Sequence, residues 1–280
     1  MEYGEAWNLI DLPLFVYFHG FDLMFDLREQ DEARKPIHSP DYRDRIVRLS
    51  ERATFIANSE FSRGRLIEAG VRPEKVKVNY LGVVAGEPPI ERHLRRANIL
   101  FVGRFVDCKG PDLTIKAFNI LRQKGVDASL TMIGDGPQRE RCLKLAQESD
   151  FASDILLPGS ENHATVQTRF AEASMFTMHS IKGPFSNQEE AFGVAFLDAM
   201  IKGLPVVSGK SGGVPEIILD GINGYLVEPG DIEGHADCMA RLIADPDLAK
   251  RMGRAGWEMA SSKFSQENST RGLLSVLNRL

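Results

Sequence analysis

The chain has 280 residues, of which 43% are hydrophobic and 26% charged, and a formal net charge of −5. This is the composition of a soluble globular protein with room for one large or two ordinary domains. The acidic balance argues against a nucleic-acid partner, because such partners normally require a basic face. No apolar run approaches the length that spans a bilayer, and the acidic start MEYGEAW is unlike a signal peptide. We therefore expect a cytoplasmic protein.

A predicted helix around residue 45 carries three arginines that could contact a membrane surface. Arg45, Arg48 and Arg52 fall on one face of this helix and leave open a peripheral contact with the inner face of a membrane. Asp44 and Glu51 interrupt that face, so an ordinary solvated helix is the favoured interpretation.

Residues 1–90 contain three strand-like apolar segments with predicted helices between them. The segments are Leu12 to Phe18, Thr54 to Ala57 and Val76 to Tyr80. After the second segment, Asn58 ends the strand and Ser59 has the position of a helix N-cap. Three strands are too few for a complete Rossmann-like domain, since a partial sheet exposes an unpaired edge. We therefore predict that residues 1–90 form an incomplete N-terminal domain, followed by a linker at Val84 to Arg96.

From Ala97 onward, short apolar segments alternate with segments of helical periodicity such as Asp112 to Lys124 and Gln138 to Glu148. The predicted strands are Asn98 to Val102, Ala128 to Ile133, Ile155 to Leu157, Met175 to Met178, Leu204 to Val207 and Gly224 to Val227. This alternation predicts an α/β domain at residues 91–264, with a doubly wound parallel sheet. The amphipathic end of the chain, residues 265–280, is predicted to be a helix.

Small or charged residues follow five consecutive predicted strands of this second domain. They are Gly103-Arg104 with Lys109-Gly110, Gly134 to Pro137, Gly159 to Glu161, Glu190, and Ser208-Gly209 with Gly212-Gly213. Open α/β sheets bind their ligands beyond the carboxyl ends of the strands. The sequence therefore predicts a ligand site at this rim.

Arg104 and Lys109 are the predicted phosphate ligands of this rim. Arginine offers a planar fork to two oxygens and lysine a compact second charge, so together they can neutralise a diphosphate without a metal. Two solvated surface cations are the alternative. The three cysteines, Cys108, Cys142 and Cys238, are far apart and without metal-ligand spacing, and we expect reduced thiols, no metal and no cofactor.

Two carboxylates, Glu190 and Asp198, stand eight residues apart across a predicted helix start. The segment has a tight entry at Phe192-Gly193 and a helix that ends near Lys202, where Gly203 stops it. Eight helical residues rise about 12 Å, and the free amides of a helix start favour phosphate. One segment could thus meet a sugar, a diphosphate and a ribose. The alternative is that acids are favoured near a helix start by the dipole alone.

These motifs resemble those of the family-4 glycosyltransferases, the retaining enzymes with the GT-B fold. Glu190 and Asp198 are similar to the acid-x7-acid motif, GRFVDCKG to a GR...KG signature, and GDGP to a third signature. The resemblance extends from about Leu12 to Leu280. It implies two Rossmann-like domains, of which the N-terminal one is incomplete here, and a final helix that crosses back to that domain.

The resemblance also implies roles for the charged residues of the rim. Glu190 would contact hydroxyls of the donor sugar, and Arg104 and Lys109 would hold the donor diphosphate. Asp198 would contact the nucleotide ribose, although the family more often has glutamate at this position. Because aspartate is one methylene shorter, the ribose contact is the assignment that this departure affects.

The remaining residues implied by the resemblance have less specific signatures. Gly134 would give backbone clearance near the nucleotide, and the segment with Glu161 would meet the nucleobase. Amides of Phe192, Gly193 and Val194 would contact the phosphate or the sugar. His19, at the end of a strand, would face the donor sugar across the cleft, with an ordinary loop histidine as the equal alternative. His163 and His179 are interpreted as structural or rim residues.

The function implied by the resemblance is transfer of a hexose-like sugar from a nucleotide-diphosphate sugar to a hydroxyl acceptor, with retention of anomeric configuration. The acceptor would be a glycan or a lipid-linked glycan, as in the assembly of bacterial surface polysaccharides. Glu190, His19, Arg104 and Lys109 are the expected catalytic residues. Two alternatives stay open: a truncated, inactive remnant that binds nucleotide sugars, and another GT-B activity such as epimerisation or phosphorolysis.

Overall fold

The structure, a computed structural model, describes residues 12–19, 41–88 and 96–278. In these ranges parallel strands form a three-stranded and a six-stranded sheet. The strands are β1 (Leu14–Phe18), β2 (Ala53–Ala57), β3 (Val76–Val78), β4 (Ala97–Val102), β5 (Ala128–Ile133), β6 (Ile155–Gly159), β7 (Met175–Met178), β8 (Val206–Gly209) and β9 (Gly224–Val227). The α-helices are α1 (Tyr42–Ser50), α2 (Glu60–Glu68), α3 (Pro111–Gln123), α4 (Arg139–Gln147), α5 (His163–Glu172), α6 (Val194–Met200), α7 (Ile232–Ala244), α8 (Pro246–Ser262) and α9 (Gln266–Leu277).

The first sheet has the order β1-β2-β3, with all strands parallel. Its centre is apolar, since Phe55 and Ile56 of β2 are almost fully buried. Helix α2 begins at the predicted cap, where the Ser59 side chain accepts a hydrogen bond from the amide of Ser62. Helix α1 carries Arg45 and Arg48, but it ends at Ser50. The prediction that Arg52 shares its face is therefore wrong.

The second sheet has the order β6-β5-β4-β7-β8-β9 and is parallel throughout. Its central strands are buried on both faces: Ile99, Leu100 and Phe101 of β4 and all of β7 are inaccessible to solvent. Such strands are apolar at nearly every position, which explains the continuous runs in the sequence, and the buried Thr177 of β7 donates its hydroxyl to the Val207 carbonyl. The predicted doubly wound α/β fold is confirmed.

The predicted boundaries of one strand and one helix differ from the structure by about two residues. The strand predicted at Leu204 to Val207 is β8, which starts two residues later, at Val206. Pro205 lacks an N–H and therefore contributes only its carbonyl, which accepts a hydrogen bond from the amide of Phe176 at 3.1 Å. Helix α6 ends at Met200 instead of Lys202. Gly203, at φ +69°, then turns the chain as predicted.

The end of the chain returns to the segment that follows β3. The amide of Val83 donates to the Phe264 carbonyl and that of Gln266 to the Val83 carbonyl, both at 2.9 Å. On α9, the Ser269 hydroxyl donates to the carbonyl of Tyr80 at 2.8 Å. The domain boundaries after residues 90 and 264 stay predictions. Across residues 12–19, 41–88 and 96–278, no helix combines the length and apolar character needed to cross a bilayer.

Candidate active site

The predicted rim lies where the strand order of the second sheet reverses, between β4 and β7. Gly103 and the exposed Arg104 follow β4, and a 3₁₀ turn at Asp107–Lys109 leads into α3. Gly110, at φ +53°, lies so close to the end of β7 that an added Cβ would be 2.2 Å from the carbonyl oxygen of His179. This close approach needs glycine and brings the β4 loop onto the β7 loop.

Lys109 and Glu190 form an ion pair at this point of reversal. Nζ of Lys109 lies 2.5 Å from Oε2 of Glu190, and the side chains are 16% and 14% exposed. The stem of Lys109 lies over Gly103, whose Cβ position is 3.2 Å from Cδ of the lysine. Two residues predicted from separate motifs are therefore in direct contact, largely shielded from solvent.

The backbone of Glu190 is held by the loop that follows β8. The amide of Gly213 donates to the Glu190 carbonyl at 2.8 Å. Gly212, at φ +58°, lies against the same carbonyl, and a Cβ there would be 2.1 Å from the oxygen. The Gly212-Gly213 pair thus lets two backbones meet, which explains why small residues were found at this rim.

The residues after Glu190 form the start of α6. Phe192 is buried, Gly193 is in the left-handed region at φ +103°, and Val194 is the partly exposed first residue of the helix. Glu190 therefore lies in a loop, and the 12 Å rise predicted for eight helical residues does not describe its separation from Asp198. About half of the spacing is loop.

Asp198, in the middle of α6, is half-buried. Burial raises the pKa of its carboxyl group, and the nearby charges of His163 and Lys202 oppose this rise. His163, the first residue of α5, is exposed. The structure thus associates Asp198 with the β6–α5 side of the rim, while Glu190 pairs with Lys109.

Two predicted ligand residues have structural partners of their own. Glu161 accepts hydrogen bonds from the guanidinium of Arg169, at 3.3 and 3.4 Å, and is largely buried. Gly134, at φ +144°, faces Gly103, and a Cβ would be 1.9 Å from that carbonyl oxygen. The fold alone therefore accounts for glycine at position 134, and the ligand roles of both residues stay predictions.

His19 directly follows β1 of the first sheet and is exposed. Its ring stacks on that of Tyr17, with centroids 5.1 Å apart. The Tyr17 hydroxyl in turn donates to the carbonyl of Asn79 at 3.1 Å. The imidazole is thus supported from its own sheet, and its contact with a donor sugar stays a prediction.

Asp107 is a buried acid near the site that the sequence analysis did not single out. Its carboxylate accepts hydrogen bonds from the amides of Phe185 and Ser186, both at 2.8 Å, and from the Ser186 hydroxyl at 2.5 Å. These bonds fold residues 183–188 against the β4 loop, directly before Glu190. The only sequence signal was an acid two residues before Lys109.

A hydrogen-bonded chain of two histidines lies beneath the rim. The Gly230 amide donates to Nε2 of His179, and Nδ1 of His179 lies 2.8 Å from Nδ1 of His235. Nε2 of His235 lies 2.5 Å from the Thr177 hydroxyl, which donates to the carbonyl of Val207. Because an amide can only donate, His179 carries its proton on Nδ1 and His235 on Nε2. Burial lowers the pKa of His179 to about 4 and that of His235 well below its ordinary value.

His179, predicted to be a structural or rim residue, is buried, and the histidine chain links β7, β8 and α7. Its partner His235 was missed, because a single histidine in an amphipathic helix gives no sign of a contact 56 residues away. In the described ranges, no cluster of three or more His, Cys, Asp or Glu side chains has an arrangement that could hold a metal ion.

Solved structures with the same fold include two proteins in complex with UDP or UDP-glucose. Anabaena Alr3699/HepE in complex with UDP-glucose superposes with a TM-score of 0.80 at 21% identity, over 99% of this chain and 75% of that one. S. aureus TarM, solved with UDP, fondaparinux and alpha-GlcNAc-glycerol, superposes with a TM-score of 0.78 at 20% identity, over 95% and 51%. At these identities the likeness establishes the GT-B fold.

Curated relatives are similar over parts of their length. The GDP-mannose-dependent alpha-(1-6)-phosphatidylinositol monomannoside mannosyltransferase of Mycolicibacterium smegmatis is 32% identical over 161 residues, 58% of this chain and 42% of that protein. The amylovoran biosynthesis glycosyltransferase AmsK of Erwinia amylovora is 27% identical over 269 residues, 94% of this chain and 63% of the relative. The chain thus spans less than two-thirds of the length of either protein.

A family model gives the most direct assignment. The model described as Glycosyl transferases group 1 matches residues 87–259, which is more than half of the chain and includes every charged residue of the rim. The chain therefore belongs to the glycosyl transferases group 1 family.

Proposed function

We propose that this chain carries the donor site of a retaining glycosyltransferase, which moves a hexose from a nucleotide-diphosphate sugar to a hydroxyl group of a glycan or lipid-linked acceptor. The observation that carries the proposal is the shielded ion pair of Lys109 and Glu190 at the point of strand reversal. Ligands of doubly wound sheets bind at this point. A cation for phosphate and an acid for sugar hydroxyls are held there in contact.

In the proposed reaction the protein supplies charge and orientation and forms no covalent intermediate. The acceptor hydroxyl attacks on the side of the leaving group and passes its proton to the departing phosphate. Arg104 and Lys109 stabilise the negative charge that develops on the diphosphate, a preorganised electrostatic effect. Glu190 orients the hydroxyls of the donor sugar, and His19 approaches the sugar from the first sheet. We expect no metal to be required, because Arg104 and Lys109 supply two cations for the diphosphate.

The nucleoside would lie along α6 and the β6–α5 loop. Asp198 accepts hydrogen bonds from the ribose, and the backbone around Glu161 meets the base, while amides of Phe192, Gly193 and Val194 contact the phosphate or sugar. Gly134 borders the nucleotide. The relatives named above include a GDP-mannose-dependent enzyme and a protein solved with UDP-glucose. A panel of nucleotide-sugar donors is therefore needed to identify the base and the sugar.

The chain spans less than two-thirds of its curated relatives, and this observation favours a second candidate. The chain could bind donor as an isolated unit and transfer sugar only with further residues that complete the acceptor side. We place the acceptor in polysaccharide or glycolipid assembly on the cytoplasmic side of a membrane. Arg45 and Arg48, exposed on α1, are the residues that would approach such a surface.

The test is calorimetric titration of the purified chain with UDP-, GDP- and ADP-sugars, in the wild type and in Arg104→Ala. Selective binding of one nucleotide, weakened at least tenfold in Arg104→Ala, supports the donor site. Arg254→Ala is the matched control, since Arg254 is an exposed arginine of α8 paired with Glu258. Full affinity in Arg104→Ala would remove the phosphate role. For an active chain, the loss in transition-state stabilisation should be roughly 2–4 kcal/mol.

A further inference from the structure

The first sheet's helix α2 touches the segment that carries Glu190. The hydroxyl of Ser59, the N-cap of α2, donates to the carbonyl of Ala191 at 2.6 Å. The Ser59 hydroxyl oxygen also accepts a hydrogen bond from the amide of Ser62 at 2.9 Å, and Ser59 is fully buried. One side chain thus caps α2 and holds the residue next to Glu190.

Glu216 makes the reciprocal contact from the second sheet. Its carboxylate accepts hydrogen bonds from the amides of Glu60 and Phe61, at 2.9 and 2.8 Å, at the start of α2. The first amides of a helix have no partner inside the helix, and negative charge is favourable there. A hydrogen bond to Glu216 also adds to burial in raising the pKa of Tyr80.

The loop that carries Glu216 is the loop that holds Glu190. Gly213, three residues before Glu216, donates its amide to the carbonyl of Glu190, and a Cβ at Gly213 would be 2.3 Å from the carbonyl oxygen of Ala191. Residues 190–191 are therefore clamped between Gly213 on one side and Ser59 on the other. The Glu216 carboxylate connects the two sides, because it binds the helix that Ser59 caps.

We propose that Glu216 is a positioning residue, whose carboxylate couples the docking of α2 to the orientation of Glu190. This inference rests on the proposed function of Glu190. When α2 is docked, the Ser59 hydroxyl reaches Ala191 and the segment of Glu190 is fixed on both sides. When Glu216 no longer binds α2, the Ser59 contact is weakened, and Glu190 is held mainly by Gly213 and by its ion pair with Lys109. A misplacement of about 1 Å at a reacting centre can cost about 100-fold in rate, so weak docking lowers turnover without removing a donor ligand.

The packing beside this contact supports the coupling. The ring of Tyr80 stacks on that of the buried Phe192, with centroids 5.6 Å apart. Phe264, at the return of the chain, contacts both rings, at 5.3 and 5.6 Å. Displacing the first sheet would thus also disturb Phe192, two residues after Glu190.

The test compares Glu216→Gln with Glu68→Gln, a control on α2 whose exposed carboxylate pairs with Arg65. Glutamine keeps the shape but replaces one acceptor oxygen with an NH₂ group that cannot accept from an amide. Three quantities are measured: kcat with the donor found by titration, the Kd of the free nucleotide, and hydrogen exchange in peptides covering residues 60–61 and 190–193. Ser59→Ala is the second variant, because it removes the contact with Ala191 directly.

We expect Glu216→Gln to lower kcat about tenfold while the Kd of the nucleotide changes less than twofold. Amide exchange should be faster at residues 60–61, whose amides bind the Glu216 carboxylate, and also at residues 190–193. Ser59→Ala should likewise speed exchange at residues 190–193. Unchanged kcat and exchange, or an equal loss of nucleotide affinity, would overturn the proposal. If the wild type binds no nucleotide sugar, the proposed function fails, and if it binds a donor without transfer, the second candidate holds and kcat cannot be compared. The exchange at 190–193 then decides the coupling alone: faster exchange supports it, and unchanged exchange overturns it.

Discussion

Nζ of Lys109 and Oε2 of Glu190 lie 2.5 Å apart, although the two residues are separated by 81 positions in the chain. Each charge is shielded from solvent and each neutralises the other. Removing one partner from such a pair leaves a poorly solvated charge, which is more costly than losing an exposed pair. The pair therefore fixes both side chains before a donor arrives. Any substitution at either position must be judged by its effect on the other residue.

Glu190→Gln should separate sugar orientation from nucleotide binding. The glutamine side chain keeps the shape of glutamate but has no charge to pair with Lys109. The Lys109 ammonium group therefore remains available to the diphosphate. We expect kcat to fall about 100-fold, as for a lost transition-state contact, while the free nucleotide binds at least as tightly. Steady-state kinetics and calorimetry on the same preparation check this. Parallel loss of binding would mean that Glu190 is not a sugar contact.

Gly212→Ala should destabilise the protein more than Gly221→Ala. Both glycines have positive φ, +58° and +74°, but a Cβ at Gly212 would be 2.1 Å from the Glu190 carbonyl oxygen, whereas Gly221 faces open space. Gly221→Ala should cost about 1–2 kcal/mol for the left-handed backbone. Gly212→Ala should cost about 1–3 kcal/mol more through steric conflict. Urea unfolding of the two variants measures the difference, and equal losses would contradict the close approach.

The fold was largely predictable from local sequence. Strand β4 is apolar at nearly every position because both of its faces are buried, and Gly203 marks a helix end that the structure shows at positive φ. The errors arose where a local rule competes with pairing. Pro205 belongs to an apolar run, but its missing N–H delays the start of β8.

The contacts that assemble the site were not predictable in the same way. The hydrogen bond from Ser59 to Ala191 joins residues 132 positions apart, and those from Phe61 and Glu60 to Glu216 join residues 155 and 156 apart. In the sequence, Ser59 is a helix cap and Glu216 an acid in a turn. Each residue satisfies a local rule, so neither one signals its distant partner.

The two buried histidines predict a loss of stability in mild acid. The unfolded chain binds a proton on each imidazole below pH 6.5, but burial lowers the pKa of folded His179 to about 4 and that of folded His235 well below its ordinary value. The unfolded state thus holds more protons, and stability falls as the pH decreases through this window. From pH 7 to pH 5 the His179 imidazole alone should remove about 2 kcal/mol from the free energy of unfolding. His235 acts in the same direction, and urea titration measures the combined loss.

A control and a direct observation accompany the acid test. His163→Gln should leave the loss unchanged, because this histidine is exposed. ¹⁵N spectra of the imidazoles should show two rings that stay neutral at pH 5.5, one protonated on Nδ1 and one on Nε2. Titration of all histidines together near pH 6.5 would contradict the hydrogen-bonded chain.

Asp198→Asn should reduce the preference for a ribose. A hydrogen bond to a charged group contributes about 1.5–3 kcal/mol, so the wild type should bind the ribonucleotide at least tenfold more tightly than its 2′,3′-dideoxy analogue. In Asp198→Asn this ratio should approach one, while Asp247→Asn, on the exposed side of α8, should keep it. The four affinities come from calorimetry. A preference that survives Asp198→Asn would assign the ribose to other groups.

The return of the chain at α9 has a consequence for the order of folding. The hydrogen bond between Ser269 and Tyr80 closes a separation of 189 residues, and ordering a loop of that length costs about 5 kcal/mol. Tyr80 cannot complete its contacts with Phe264 and Ser269 until translation has passed residue 269. The return of the chain therefore forms late in synthesis, after every strand in the described ranges has been made.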